Sequence, residues 1–120
     1  SGELYVLGVA ANVTILQGAL ACANAAGYAT PGATATTLTA LGRAEQTVAG
    51  GSVAGTNTVQ IKRGCFHFKN SVDDPVTIAE TGKDCFIVDD ETVAKTNGTN
   101  TRSKAGIVHE VDAAGVWVRI

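Results

Sequence analysis

Methionine is missing from this chain altogether, even at its first position. The chain is therefore expected to be processed, or to begin partway into a longer gene product with an N-terminal arm upstream of Ser1. Aromatic residues are scarce, at 5%, although hydrophobic residues as a whole reach 45%. The apolar content is thus carried by Ala and Val, and the core is expected to be thin. No apolar run approaches the roughly 20 residues of a membrane-spanning helix, so no membrane partner is expected. No charged start followed by an apolar middle marks a secretory signal. Lys and Arg total 9 against 11 Asp and Glu, for a net charge of −2. That balance does not suit nucleic acid, whose binders present a basic face. Cys22, Cys65 and Cys85 are an odd count without a C-x-x-C pair, which argues against a disulfide framework and for a reducing compartment. Asn12-Val13-Thr14 and Asn97-Gly98-Thr99 match the glycosylation sequon but, without a secretory signal, read as unmodified.

What is present is a succession of short β-type runs cut by turn residues, the pattern of an all-β sandwich or barrel. The 120 residues suffice for one domain and one core, and no linker or repeat divides residues 1–120. The most strand-rich stretch runs from Cys85 to Ile120. Cys85–Val88 ends at Asp89-Asp90-Glu91, a polar loop covers Lys95 to Lys104, and Ile107–Val111 and Val116–Ile120 flank the tight-turn sequence Asp112-Ala113-Ala114-Gly115. Upstream, strands are predicted over Leu4–Leu7, Asn12–Leu16 and Ala19–Ala23. The last has helix as its rival reading because of its Ala content, but it is short, uncapped and bounded by turns, the second of them Asn24–Gly27. Tyr28–Thr30 follows, closed by Pro31-Gly32. Thr34–Leu41 alternates like a strand with a Thr-rich polar face and is carried on toward Val48. Thr58–Lys69 reads as one strand whose phase flips at Arg63-Gly64, the signature of a bulge or corner. Asn70–Pro75 is a loop. Thr77-Ile78-Ala79-Glu80 is a capping box, predicting one helical turn near residues 77–81 with Gly82 as its stop. The Gly-rich loop Ala49–Gly55 lacks the Lys-Ser/Thr and the following helix of a phosphate cradle, and no cofactor is expected.

The candidate sites are modest. Asp89-Asp90-Glu91, with Asp84 or Asp112, lacks the spacing and glycine of a calcium loop and reads as a solvated strand end. Cys65 and His67 share a strand face, with His109 as a further base, but a thiol nucleophile also needs an orienting third group; no catalytic residue is assigned and the chain is not expected to be an enzyme. Trp117 alternates with Val116 and Val118, so if those two line the core, Trp117 lies exposed, at an interface or capping the barrel end. Arg43, Lys62, Arg63, Arg102 and Lys104 are scattered cations, ordinary surface charge or contacts to an acidic partner. Trp117, Arg43, Arg63 and Arg102 are the interface candidates.

Several segments, in order, resemble the head decoration (cement) proteins of tailed bacteriophages. Val88 to Ile120 is the most specific. It is joined by Leu41–Val48 with the Gly/Ala loop after it, by Val59–Ser71, and by Gln17–Tyr28. The resemblance implies a small β-barrel-like domain on the outer surface of the phage capsid, made in the bacterial host cytoplasm. It implies binding to the major capsid protein and self-association, as homotrimers ahead of homodimers, so that neighbouring capsid subunits are bridged against the pressure of packaged DNA. It transfers no catalytic residue. The competing expectation is a carbohydrate- or receptor-binding β domain on a virion surface, with Trp117, Tyr5 and Tyr28 as stacking platforms.

Overall fold

The structure is a computed structural model and describes residues 3–120. The arm expected upstream of Ser1 lies outside those residues. The chain is all-β apart from one 3-10 turn, and its strands fall into three layers. The middle layer is a five-stranded antiparallel sheet made from β1 (Leu4–Gly8), β3 (Leu20–Ala23), β4 (Ala29–Pro31), β5 (Thr39–Ala44) and β7 (Thr58–Lys62) in the order β1-β7-β5-β3-β4. A closed barrel lies on one face, formed by β8 (Cys65–Asn70), β9 (Asp84–Ile87), β10 (Thr92–Ala94), β11 (Lys104–Asp112) and β12 (Gly115–Arg119). A two-stranded ribbon of β2 (Thr14–Ile15) and β6 (Val48–Ala49) contributes to the core on the other face.

This layering explains the small-residue composition. Successive side chains of a strand point to opposite faces. In β3, Leu20 and Cys22 enter the core shared with the barrel, together with Phe68, Ile87, Val93, Val108, Val116 and Val118. Ala21, between them, enters a second core with Val9, Ile15, Ala29, Ala44, Val59 and Ile61. At β3 the central sheet is a wall buried on both sides, and there the two cores are separated by only its thickness. Ala and Cys pack there where larger side chains would force the layers apart.

The extended reading of residues 19–23 agrees with β3. The Asn24–Gly27 turn forms, with Asn24 Oδ1 accepting from the amides of Ala26 and Tyr28. The capping box also forms: Thr77 Oγ1 accepts from Ala79 N–H, and Glu80 Oε1 accepts from Thr77 N–H at 2.7 Å. Three strands differ from expectation. Only Thr14 and Ile15 of the Asn12–Leu16 run pair, because Asn12 adopts a positive φ of 60° and donates its amide to Gly51. Thr34–Leu41 is a strand only from Thr39 onward. Before it, Thr34 Oγ1 donates to the Val88 carbonyl and Ser103 Oγ to that of Ala35, while Leu38 N–H donates to Ser103 Oγ, so this segment is tied to barrel loops rather than to a neighbouring strand. The expected Thr58–Lys69 strand is two strands, β7 in the sheet and β8 in the barrel.

The corner between β7 and β8 is set by glycine. Gly64 has φ +153° and Gly42, on the neighbouring β5, has φ +152°. A Cβ on Gly42 would collide with the Lys62 carbonyl oxygen. The close approach of β5 to the end of β7 therefore requires a residue without a side chain.

Candidate functional site

The corner carries the phase flip read from the sequence. Beyond it Phe68 is buried and Phe66 half-buried, while His67 and Lys69 face outward. On the facing strand β12, Val116 and Val118 are fully buried and Trp117 is 37% exposed. The antiparallel register places Trp117 directly opposite His67 on the outer face of the barrel. Their rings meet edge to face, with centroids 5.0 Å apart at 61°, a favoured aromatic geometry.

Asp112 fixes this pair. Its Oδ1 accepts from the amides of Ala114 and Gly115, each at 2.8 Å, closing the turn between β11 and β12. The same oxygen lies 3.2 Å from His67 Nε2, and Oδ2 accepts from Trp117 Nε1 at 3.2 Å. The hydrogen bond to His67, and those from the two amides and the indole, hold the Asp112 carboxyl below the usual aspartate range. The indole thus stands in the open with its orientation set by a carboxylate.

Beside it, a cleft of about 520 Å³ runs between barrel and sheet, lined by Trp117, His67, Phe66, Cys65, Arg43 and Lys62 together with Gly18. Arg43 reaches across from β5 with its guanidinium carbon 4.5 Å from the centroid of the Phe66 ring, a cation–π contact, and pairs with Glu45 at 3.3 Å. The structure therefore joins two of the four interface candidates, Trp117 and Arg43, in one cleft. Arg63 lies in a separate groove at the same corner. Arg102 is engaged within the molecule: its Nη1 donates to Asp74 Oδ2 at 2.8 Å and to the Thr96 carbonyl at 3.0 Å, and its side chain is 18% exposed. It braces the 96–102 loop and presents little surface to a partner.

Three of the remaining acidic candidates also have structural partners. Asp89 Oδ1 accepts the Glu91 amide, Glu91 pairs with Lys69 at 2.8 Å, and Asp84 pairs with Lys104 at 3.2 Å. Among the described residues no group of three or more His, Cys, Asp or Glu side chains is gathered where it could hold a metal ion. His67 and Asp112 supply a base and an orienting acid near Cys65, but the thiol makes no hydrogen bond to either among the described contacts. His109 lies on the other side of β12, 3.5 Å from Arg119. Burial pushes the thiols of Cys22 and Cys85 up to about 12.

Sequence reasoning singled out Trp117, leaving open whether it is exposed or caps the barrel end, and did not find the roles of His67 and Asp112. The local signal was present, since an Asp opening a tight turn caps the amides two and three residues on. The cross-strand register that adds His67 has no local signal. Compared with known proteins, the chain matches no family model, no curated protein and no solved structure.

Proposed function

We propose that this chain is a structural virion protein, a decoration protein that binds the outer surface of a phage head and strengthens contacts between major capsid subunits. The observation that carries this reading is the cleft lined by both Trp117 and Arg43, the indole locked by Asp112. Trp and Arg are the residue types that dominate binding energy at protein interfaces, and a side chain oriented beforehand loses little entropy on docking. The flat outline of the molecule, 42 × 32 × 21 Å, suits a protein lying on a shell. Its edge strand β1 exposes Leu4 (47%) and Val6 (61%), apolar surface available for burial against a neighbour. The resemblance of the Val88–Ile120 segment points the same way.

Co-sedimentation with purified undecorated phage heads tests the proposal. Saturable binding at a fixed ratio to the major capsid protein is expected, with a higher rupture temperature for the decorated heads. Trp117→Ala should weaken binding at least about tenfold, the loss typical of a hot-spot residue. Heads that bind no protein would overturn the reading. The exposed indole beside His67 and Asp112 also favours a second reading, a carbohydrate-binding face, because sugars stack on aromatic rings with polar groups at the rim. Glycan-array binding that disappears in Trp117→Ala, without binding to heads, would select it.

A further inference from the structure

A second groove, of about 460 Å³, opens between the central sheet and the barrel on the far side of the Lys62–Cys65 corner. Its floor includes Leu38, Ala40 and Ile120, which pack on the barrel core yet stay partly exposed. Three cations line it, Arg63, Lys104 and Arg119, and no acidic side chain does. This is a local excess of positive charge on a chain whose net charge is −2. Lys104 is paired with Asp84, whereas among the described residues neither Arg63 nor Arg119 has a carboxylate partner.

The walls of the groove are strand segments paired on one side only. In β5, Thr39–Leu41 runs beside β3, while β7 pairs only with Arg43 and Ala44 because the chain turns away at Gly64. In β11, Lys104–Gly106 runs beside β9, while the pairing with β12 begins at Ile107. Thr39–Leu41, which is not buried, therefore offers an edge to an incoming chain, whereas Ala105 and Gly106 are buried, with Gly106 against the Arg119 backbone, and form the opposite wall. An apolar floor, cationic rims and the half-paired edge of β5 are the elements of recognition by strand addition, in which backbone hydrogen bonds supply affinity and side-chain pockets supply selectivity.

From this arrangement we infer that the groove receives an extended segment of a partner protein whose carboxylate side chains alternate with apolar ones. The apolar residues cover Leu38, Ala40 and Ile120, and the carboxylates meet Arg63 and Arg119. Neither this ligand chemistry nor its test depends on the capsid reading.

The test is a titration of ¹⁵N-labelled protein with the synthetic peptide acetyl-Val-Glu-Val-Glu-Val-amide, carried to millimolar concentration and followed by amide shifts. Saturable shifts confined to Thr39–Leu41, Lys104–Gly106 and their neighbours are expected. The double variant Arg63→Glu/Arg119→Glu should bind at least about tenfold more weakly, because like charges then face each other. Arg63→Lys/Arg119→Lys should bind nearly as the parent does, and the dispersed spectra of both variants would report intact folding. Three outcomes would each overturn the inference: no saturable shift, equal shifts with acetyl-Val-Lys-Val-Lys-Val-amide, or unchanged affinity in the charge-reversed variant.

Discussion

Asp112 is the residue on which most of the candidate site depends. One carboxylate closes a turn, orients a histidine and anchors the indole. The three thiols differ just as sharply. Cys22 and Cys85 are fully buried with their pKa raised to about 12, whereas Cys65 is half-buried at the cleft. A thiolate is the reactive form, and burial suppresses it. Native protein should therefore react with an aromatic disulfide reagent at no more than one thiol per chain, Cys65, while unfolded protein should react at all three. Counting the released chromophore before and after adding denaturant checks this. A Cys65→Ser variant with no fast-reacting thiol would assign the site.

The corner between β7 and β8 was legible in the sequence. The apolar phase shifts there from Val59 and Ile61 to Phe66 and Phe68, and a glycine sits at the shift. Its consequence was not legible, because whether a strand bends within one barrel or crosses from a sheet into a barrel depends on which partners await it. The same limit applies to Thr34–Leu41. Its alternation is genuine, but the backbone of Ala35 and Leu38 is claimed by Ser103 and the Thr34 hydroxyl by the Val88 carbonyl, partners that lie more than fifty residues away in sequence. The 3-10 turn, by contrast, is written in four adjacent residues and was readable in full. The glycine argument can be tested by comparing two positions. Gly42→Ala combines an unfavourable φ with a collision against the Lys62 carbonyl, whereas Gly18→Ala has a positive φ of 87° but open space around its new Cβ. Urea unfolding should show a loss of about 1 kcal/mol for Gly18→Ala and of more than about 3 kcal/mol for Gly42→Ala. Equal losses would show that the close approach of β5 to the end of β7 contributes nothing.

At the scale of the whole molecule, the central sheet contributes side chains to both cores. Ile61 belongs to the core beneath the ribbon and Ile87 to the core inside the barrel. Truncating either to Ala should destabilise by about 2–5 kcal/mol. Since β3 feeds both cores, each variant should still unfold in a single transition. Trp117, the chain's one tryptophan, stands on the barrel, so its fluorescence reports that side alone. For Ile61→Ala, its transition should coincide with that seen by circular dichroism, and separate transitions would show that the layers unfold independently. Acid acts on the whole molecule too. Asp74 is held low first by the Thr96 hydroxyl, Glu80 by the Thr77 amide and Asp112 by His67. A carboxyl held below its unfolded value favours folding above that value and ceases to as pH falls through the folded one. Stability should thus decline as pH drops below the ordinary values of 4.5 for Glu and 3.8 for Asp. Asp90, raised by burial and then by Asp89 and Glu91, acts in the opposite sense, favouring folding most at low pH and losing that contribution as pH rises. Urea midpoints between neutral and acid pH would measure the balance, and Asp74→Asn should make the acid decline shallower.

A wall with two buried faces has no neutral side on which substitutions can accumulate. Most strands of a small protein keep one face in water, where sequence drifts freely. Leu20, Ala21 and Cys22 have no such face, since all three are fully buried. In a library that varies every position singly, β3 should stand out as a block in which neither larger nor polar residues survive, odd and even positions alike. The exposed positions of β1, Leu4 to Val6, should accept almost anything that leaves the backbone extended.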